Sequence, residues 1–217
     1  MEEKLAVKKP SLLKRFVKRS FDLVSSGLAI VILMPFFLLF TPLVAIAMKG
    51  NPFFVQERAG KDGKAFKVIK YRSMNNKRDA DGNLLPNEQR ITKFGKLMRK
   101  LSIDELPQLF NIFMGQMSVV GPRPLHMKYN DRYNDFQRQR LLVKPGLTGL
   151  AQVSGRNAIS WEEKFEKDVE YIEKCSLITD LKIIFQTVVK VIKHESIDSN
   201  DKIGTEEFMG DKNNGEN

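Results

Sequence analysis

The residues of this 217-residue chain that could do chemistry gather in a few short runs. The sharpest is Arg99-Lys100-Leu101-Ser102-Ile103-Asp104-Glu105-Leu106-Pro107, where two adjacent acids stand among apolar residues, five positions after an arginine. Neighbouring carboxylates can hold a divalent cation, or divide into a nucleophile and a metal ligand. The same dipeptide also serves on solvated helix faces and as a partner of the helix dipole. A second run, Gly121-Pro122-Arg123-Pro124, stiffens the backbone on both sides of one arginine. A guanidinium fork suits phosphate oxygens, and a rigid turn with a solvated arginine is the plainer alternative. A third run, Lys70-Tyr71-Arg72-Ser73-Met74 with Gln56 and Arg58 upstream, could neutralise a diphosphate beside the acids or attract anionic headgroups. A fourth, Lys144 to Arg156, holds three glycines with Gln152 and Arg156, and either brings backbone close to a ligand or forms a structural turn. Neither a phosphate-loop lysine motif nor a dinucleotide fingerprint is present.

Composition narrows the partners. Lys and Arg number 36 against 26 Asp and Glu, a net charge of +10 that calls for an anionic partner: nucleic acid, an anionic membrane face or a phosphorylated substrate. Many of these cations flank an apolar segment, aromatics do not interleave with them as stacking platforms, and no nucleic-acid-binding motif is found. A nucleic-acid partner is therefore not expected. A single cysteine, Cys175, excludes an intrachain disulfide, and with two histidines it cannot close a structural zinc site without carboxylates. It reads as a half-buried packing residue, in a chain suited to a reducing compartment.

The elements that must position these residues begin with a run from Leu23 to Met48 that carries no charge and exceeds the roughly 20 residues needed to cross a bilayer. Ala45-Ile46-Ala47 resembles a signal cleavage site, but the apolar run is too long and the site too far from the N-terminus. Pro35 lies near the middle and Pro42 follows, and proline kinks a helix. Both flanks are basic: Lys8, Lys9, Lys14, Arg15, Lys18 and Arg19 before, and Lys49, Arg58, Lys61, Lys64, Lys67, Lys70 and Arg72 after. One crossing cannot keep both flanks on the cytoplasmic side; a helix that enters, bends at Pro35 and returns can. The re-entrant form is thus preferred to a single pass.

Residues 1–19 read as a basic lead-in, 20–49 as the membrane-embedded helix, 50–195 as a catalytic domain and 196–217 as a polar, disordered tail. Within the domain, Phe53 to Met74 reads as two short extended pieces around a turn, and Asn75 to Glu88 as a surface loop. Thr92 to Met114 reads as helix interrupted near Pro107, Met127 to Leu142 as partly helical, and Lys144 to Arg156 as irregular. Ser160 with Glu163 has the capping-box pattern. Leu177, Leu181, Ile184, Phe185, Val188 and Ile192 recur at helical spacing, on a face that packs on the core or lies in a membrane interface.

Taken together, the runs resemble the bacterial sugar transferase family, the monotopic phosphoglycosyl transferases that start glycan assembly on undecaprenyl phosphate. The matching stretches are Lys18 to Asp22, Gln56 to Gly60, Lys70 to Met74, Leu101 to Leu109, Met117 to Pro124 and Lys144 to Arg156. The chain looks like the small, minimal form. The resemblance implies an α-rich α+β fold in which a re-entrant membrane helix anchors a small cytoplasmic domain with amphipathic interfacial helices, on the inner membrane of a bacterium. It implies transfer of a sugar-1-phosphate from a UDP-sugar to polyprenyl (undecaprenyl) phosphate with release of UMP, for exopolysaccharide, capsule, O-antigen or glycoprotein assembly. Asp104 corresponds to the nucleophile that forms an aspartyl-phosphosugar, Glu105 is associated with Mg²⁺ beside it, and Arg123 with a phosphate. Arg99 is expected to orient Asp104 or pair with it, and Lys70, Arg72 and Arg58 to supply further positive charge. A homodimer is compatible with this reading. The family commonly breaks its helix at Ser-Pro, whereas this chain has Met34-Pro35. The rival reading is a non-enzymatic membrane-anchored interaction protein, which would have no need of Asp104.

Overall fold

The computed structural model describes residues 7–155, 158–193 and 207–210. Helix α1 (Leu12–Met48) is capped by Ser11, whose hydroxyl accepts from the Lys14 amide, and ends at Lys49 in the left-handed conformation. It is one continuous helix of 37 residues that includes both Pro35 and Pro42.

Burial along α1 follows one stripe. Asp22, Ser26, Ile30, Phe37, Val44 and Met48 are buried, at steps of three to four or their multiples. They face the rest of the chain: Phe37 meets Phe110, Phe40 meets Tyr71 and Phe94, and the Thr41 hydroxyl lies 2.8 Å from the Tyr71 hydroxyl. The opposite stripe, with Val24, Leu28, Val31, Ile32, Leu38, Leu39, Leu43 and Ile46, is equally apolar and exposed. Such a helix is long and apolar enough to cross a membrane. Near its start, polar side chains bolt it down. Arg19 donates to the Ile112 and Phe113 carbonyls at 2.8 Å each, and one Asp22 oxygen accepts from the Ser118 hydroxyl and the Val119 amide.

Strands β1 (Phe53–Ala59) and β2 (Ala65–Tyr71) form the expected hairpin, antiparallel from Phe53↔Tyr71 to Ala59↔Ala65. Helices α2 (Asn87–Arg90) and α3 (Lys93–Lys100) follow an exposed connection. A 3-10 turn at Ile103–Glu105 leads into α4 (Gln108–Phe113). The helix break thus falls earlier than Pro107, at Ser102, which sits at φ 54° and ψ 21°. Pro107 opens α4, where its missing N–H costs nothing.

Strand β3 (Ser118–Val120), a 3-10 segment at Met127–Arg132 and α5 (Asp135–Arg138) lead to β4 (Gly146–Thr148), which pairs parallel with β3, and α6 (Leu150–Ser154). The Lys144–Arg156 run is therefore built from regular pieces rather than irregular, up to Gly155; Arg156 lies outside the described residues. A Cβ on Gly146 would fall 2.1 Å from the Gly121 nitrogen, so glycine is what lets the two strands approach. Helix α7 (Trp161–Glu173) starts at Ser160, whose hydroxyl accepts from the Glu163 amide.

Helix α8 (Leu177–Ile192) divides its apolar stripe between core and surface. Asp180 and Ile183 are buried and Ile184 packs behind them, but Leu181, Phe185, Val188 and Ile192 face outward. Lys18 of α1 reaches Asp180 at 2.5 Å, and the Tyr171 hydroxyl donates to the same carboxylate at 2.7 Å. Cys175 is a packing residue, buried more fully than the half-buried position expected for it. The expectation of disorder for 196–217 falls mostly outside the described residues, but at 207–210 it fails: Phe208 is only 3% exposed. The fold is a helix-rich α+β arrangement with two small sheets and one long apolar N-terminal helix.

Candidate active site

Local chain geometry presents the acids. Thr92 caps α3 by accepting from the Gly95 amide at 2.9 Å. At Gly95 a Cβ would lie 1.9 Å from the Ser73 carbonyl oxygen, so α3 can only lie this close to the end of β2 with glycine there. One turn later the same packing sets Arg99 against Ser73, with Nε donating to Oγ at 2.9 Å. Ser102 then turns the chain, and the short 3-10 turn projects Asp104 and Glu105 toward β2. Helix α4 is fixed to β2 by the fully buried Asn111, whose Oδ1 accepts from the Ile69 amide at 3.0 Å and whose Nδ2 donates to the Lys67 carbonyl at 2.7 Å. Leaving either backbone group unpaired would cost about 1–3 kcal/mol.

Lys70 projects from β2 between these elements. Its Nζ lies 2.6 Å from Glu105 Oε1, and Arg123 Nη2 donates to the same oxygen at 3.0 Å. Three segments distant in sequence thus meet on one carboxylate. The pair is electrostatically unequal. Burial works to raise Glu105, but Lys70 and then Arg123 outweigh it and hold its carboxyl well below the usual range. Asp104 goes the other way: burial and the adjacent Glu105 charge raise it, and Lys70, Arg99 and Arg123 only partly oppose them. Two neighbouring acids pushed apart in this way have different tasks open to them. Glu105 is a fixed anion. Asp104 makes no side-chain ion pair among the described residues, Arg99 included, and its carboxyl is the more basic of the two.

Arg58 stands next to this centre. Burial and the like charge of Arg123 lower its guanidinium to about 10, and it donates to Gln56 Oε1 at 2.7 Å. The structure therefore gathers Asp104, Glu105, Lys70, Arg99 and Arg123, with Arg58 behind Arg123. Arg72 is less integrated: its described hydrogen bond is from its backbone amide to the Pro52 carbonyl at 2.7 Å, at the base of the hairpin. Pro35 lies inside α1, which continues as helix past it to Met48.

The motif reading passed over two groups. Asn111 carries no local signal, because a buried amide in a short apolar helix looks like any other polar residue. Arg140 and Asp168 form a buried ion pair at 2.9 Å, and Arg140 Nη2 also donates to the Arg123 carbonyl at 2.7 Å. A pair 28 residues apart leaves no pattern in a single sequence.

Comparison with known proteins covers most of the chain. The family described as bacterial sugar transferase matches residues 13–194. The chain belongs to the bacterial sugar transferase family, and it is a transferase. Among its relatives, the "Uncharacterized sugar transferase EpsL" of Bacillus subtilis (strain 168) is 49% identical over 195 residues, which cover 89% of this chain and 96% of the relative. The "Exopolysaccharide production protein ExoY" of Rhizobium meliloti (strain 1021) is 39% identical, over 80% of this chain and 84% of its own. The "UDP-glucose:undecaprenyl-phosphate glucose-1-phosphate transferase" of Klebsiella pneumoniae is 44% identical, over 80% of this chain but 39% of that longer protein.

Proposed function

We propose that the chain transfers a sugar-1-phosphate from a UDP-sugar to polyprenyl (undecaprenyl) phosphate at the cytoplasmic face of a bacterial membrane. The observation that carries this reading is the placement of Asp104, the acid with the raised carboxyl, beside a Glu105 held as an anion by Lys70 and Arg123. In the first step an Asp104 carboxylate oxygen attacks the β-phosphorus, the bridging oxygen to the α-phosphorus leaves with its electron pair, and UMP departs. In the second, a phosphate oxygen of the lipid attacks the same phosphorus, and the Asp104–phosphorus bond breaks. The product is a polyprenyl diphosphosugar and the free carboxylate returns.

Both steps pass negative charge through the site, where Arg123, Lys70 and Arg99 stabilise it without needing to reorganise. Arg58 adds charge from behind, and Arg72 from the strand end. Mg²⁺ typically takes one or two carboxylates, with phosphate oxygens and water completing its shell. The Asp104–Glu105 donor pair fits that pattern, and among the described residues no larger acid or histidine cluster competes. Asp104 and Glu105 would hold the ion, which when bound supplies charge neutralisation to the diphosphate.

The membrane reading is supported by α1. A single crossing would carry the second half of the helix away from the domain. Instead Ile30, Phe37, Val44 and Met48 all pack on the same domain as Asp22 does. A helix lying re-entrant along the domain, with its outer stripe and that of α8 in lipid, accommodates both basic flanks on one side. The relatives' names support exopolysaccharide assembly as the destination of the product.

The test is UMP release by purified protein in detergent or nanodiscs, with Mg²⁺, undecaprenyl phosphate and a panel of UDP-sugars. Turnover that needs the lipid phosphate and is abolished in Asp104→Asn is expected. Full activity in that variant would remove the covalent step.

A further inference from the structure

The C-terminal segment Glu207–Gly210 docks on the domain far in sequence from its neighbours. Phe208 enters a box of four aromatic rings, with centroids 5.0 Å from Phe165, 5.5 Å from Trp161, 5.8 Å from Tyr129 and 5.9 Å from Tyr133. Charge holds it in place. Glu207 lies 2.6 Å from Lys128 and 2.8 Å from Arg132, and Arg132 also donates to the Phe208 carbonyl. Gly210 turns at φ 85° against the Arg132 backbone, close enough that a Cβ would sit 3.3 Å from its carbonyl oxygen. An aromatic anchor with an acidic neighbour, seated on a basic rim, is a built docking site rather than a chance contact.

Two rings of that box are shared. The Arg140 guanidinium lies over Tyr133 at 5.8 Å and over Phe165 at 5.7 Å. Its Nη1 donates to the Tyr133 hydroxyl at 3.3 Å, its Nε to Asp168 at 2.9 Å, and its Nη2 to the Arg123 carbonyl at 2.7 Å. One face of the aromatic pair therefore seats the tail anchor, and the pair also seats the guanidinium that fixes the backbone of Arg123.

We propose that Arg140 is a positioning residue for Arg123, and that Glu207–Gly210 is a strap that holds the aromatic seat of Arg140 closed. This rests on the reading of Arg123 as the phosphate contact. With the strap in place, Tyr133 and Phe165 are packed on both sides, Arg140 has one orientation, and the Arg123 carbonyl stays anchored while its side chain reaches Glu105. With the strap gone, the box opens to water, and Arg123 samples positions displaced from the dyad. A displacement of about 1 Å at a charge-stabilising group can cost up to about a hundredfold in rate.

The experiment compares the full chain with a variant ending at Glu206, with Phe208→Ala and with Arg140→Lys, well below their unfolding temperatures. Amide hydrogen exchange over residues 121–126 reports the anchor directly, and UMP release reports the chemistry. All three variants are expected to exchange faster over 121–126 and to lose roughly tenfold in kcat, with a smaller change in the KM for the donor. A synthetic peptide of residues 201–217, added to the shortened chain, is expected to restore both readouts; the same peptide with Phe208→Ala is not, and neither restores Arg140→Lys. Unchanged exchange over 121–126 in the shortened chain and Phe208→Ala would overturn the strap. Unchanged exchange and kcat in Arg140→Lys would overturn the positioning role. If the wild type released no UMP with any donor, the transfer reading would fall, while the exchange and peptide arms would still decide the strap.

Discussion

Two arginine–carboxylate clusters lie either side of Arg123, and they are built in opposite ways. Around Asp168 the charges balance one to one. Arg140 uses its fork on Asp168, on a hydroxyl and on a carbonyl, and both side chains are almost wholly buried. Around Glu105 two cations converge on one oxygen, Arg99 stands nearby, and Arg123 is half exposed. The first cluster is closed and satisfied. The second is open, holds more positive charge than it needs and keeps one acid, Asp104, out of any ion pair among the described residues. What separates the closed cluster from the one proposed to be reactive is imbalance left on an accessible edge, not the number of charged groups.

Substitutions can break this contrast from the reactive side first. Asp104→Asn keeps the shape and removes the proposed nucleophile, and turnover should fall by about 10⁴-fold or more, measured as UMP release. Glu105→Gln removes the anion that Lys70 and Arg123 share, and a fall of roughly 10²–10³-fold in kcat is expected from the same assay. On the closed side, Asp168→Asn strands a buried guanidinium. Its main effect should be on stability, a loss of about 3–5 kcal/mol by denaturant unfolding in detergent.

Smaller effects sharpen the comparison through pH. In the proposed mechanism Asp104 must be ionised to attack, and burial with the Glu105 charge raises its carboxyl. Activity should therefore be lost as pH falls through a value above the ordinary aspartate range. Lys70 opposes that rise, so Lys70→Ala should move the acid limb of the pH–rate profile upward. An acid limb that stayed put would separate Lys70 from Asp104. The smallest effect has the opposite sign to the others. With its carboxyl raised in the folded chain, Asp104 favours folding below the unfolded-state pKa and loses that contribution as pH rises through the folded one. At neutral pH its charge is a cost, so Asp104→Asn should stabilise the protein by about 1 kcal/mol in thermal unfolding.

The open cluster was far more legible in the amino-acid sequence than the closed one. Asp104, Glu105, Arg123 and Lys70 each sit in a short run of unusual composition, because a site that must remain accessible is assembled from turns and strand ends. Arg140 and Asp168 sit in ordinary amphipathic surroundings, and only the fold brings them together. The helix break at Ser102 escaped notice because a serine in the left-handed region has no compositional mark, whereas Pro107 does and drew the boundary to itself. Strands β3 and β4 are three residues each, too short for alternation to register, so glycine content alone made that stretch look irregular. The tail misled for a similar reason: one phenylalanine in a polar stretch hardly alters its composition, yet it decides where the segment goes.

The one-sided burial of α1, a helix apolar on both faces, has a consequence for which changes the chain can absorb. Its inner stripe, through Ile30, Phe37 and Val44, meets shaped protein surface and should accept few replacements even among hydrocarbons. Its outer stripe is exposed, and any side chain of similar hydrophobicity should serve there. A saturation map of residues 22–48 should therefore show two interleaved tolerance profiles of the same helical period, half a turn out of phase: one strict in shape, the other strict only in polarity.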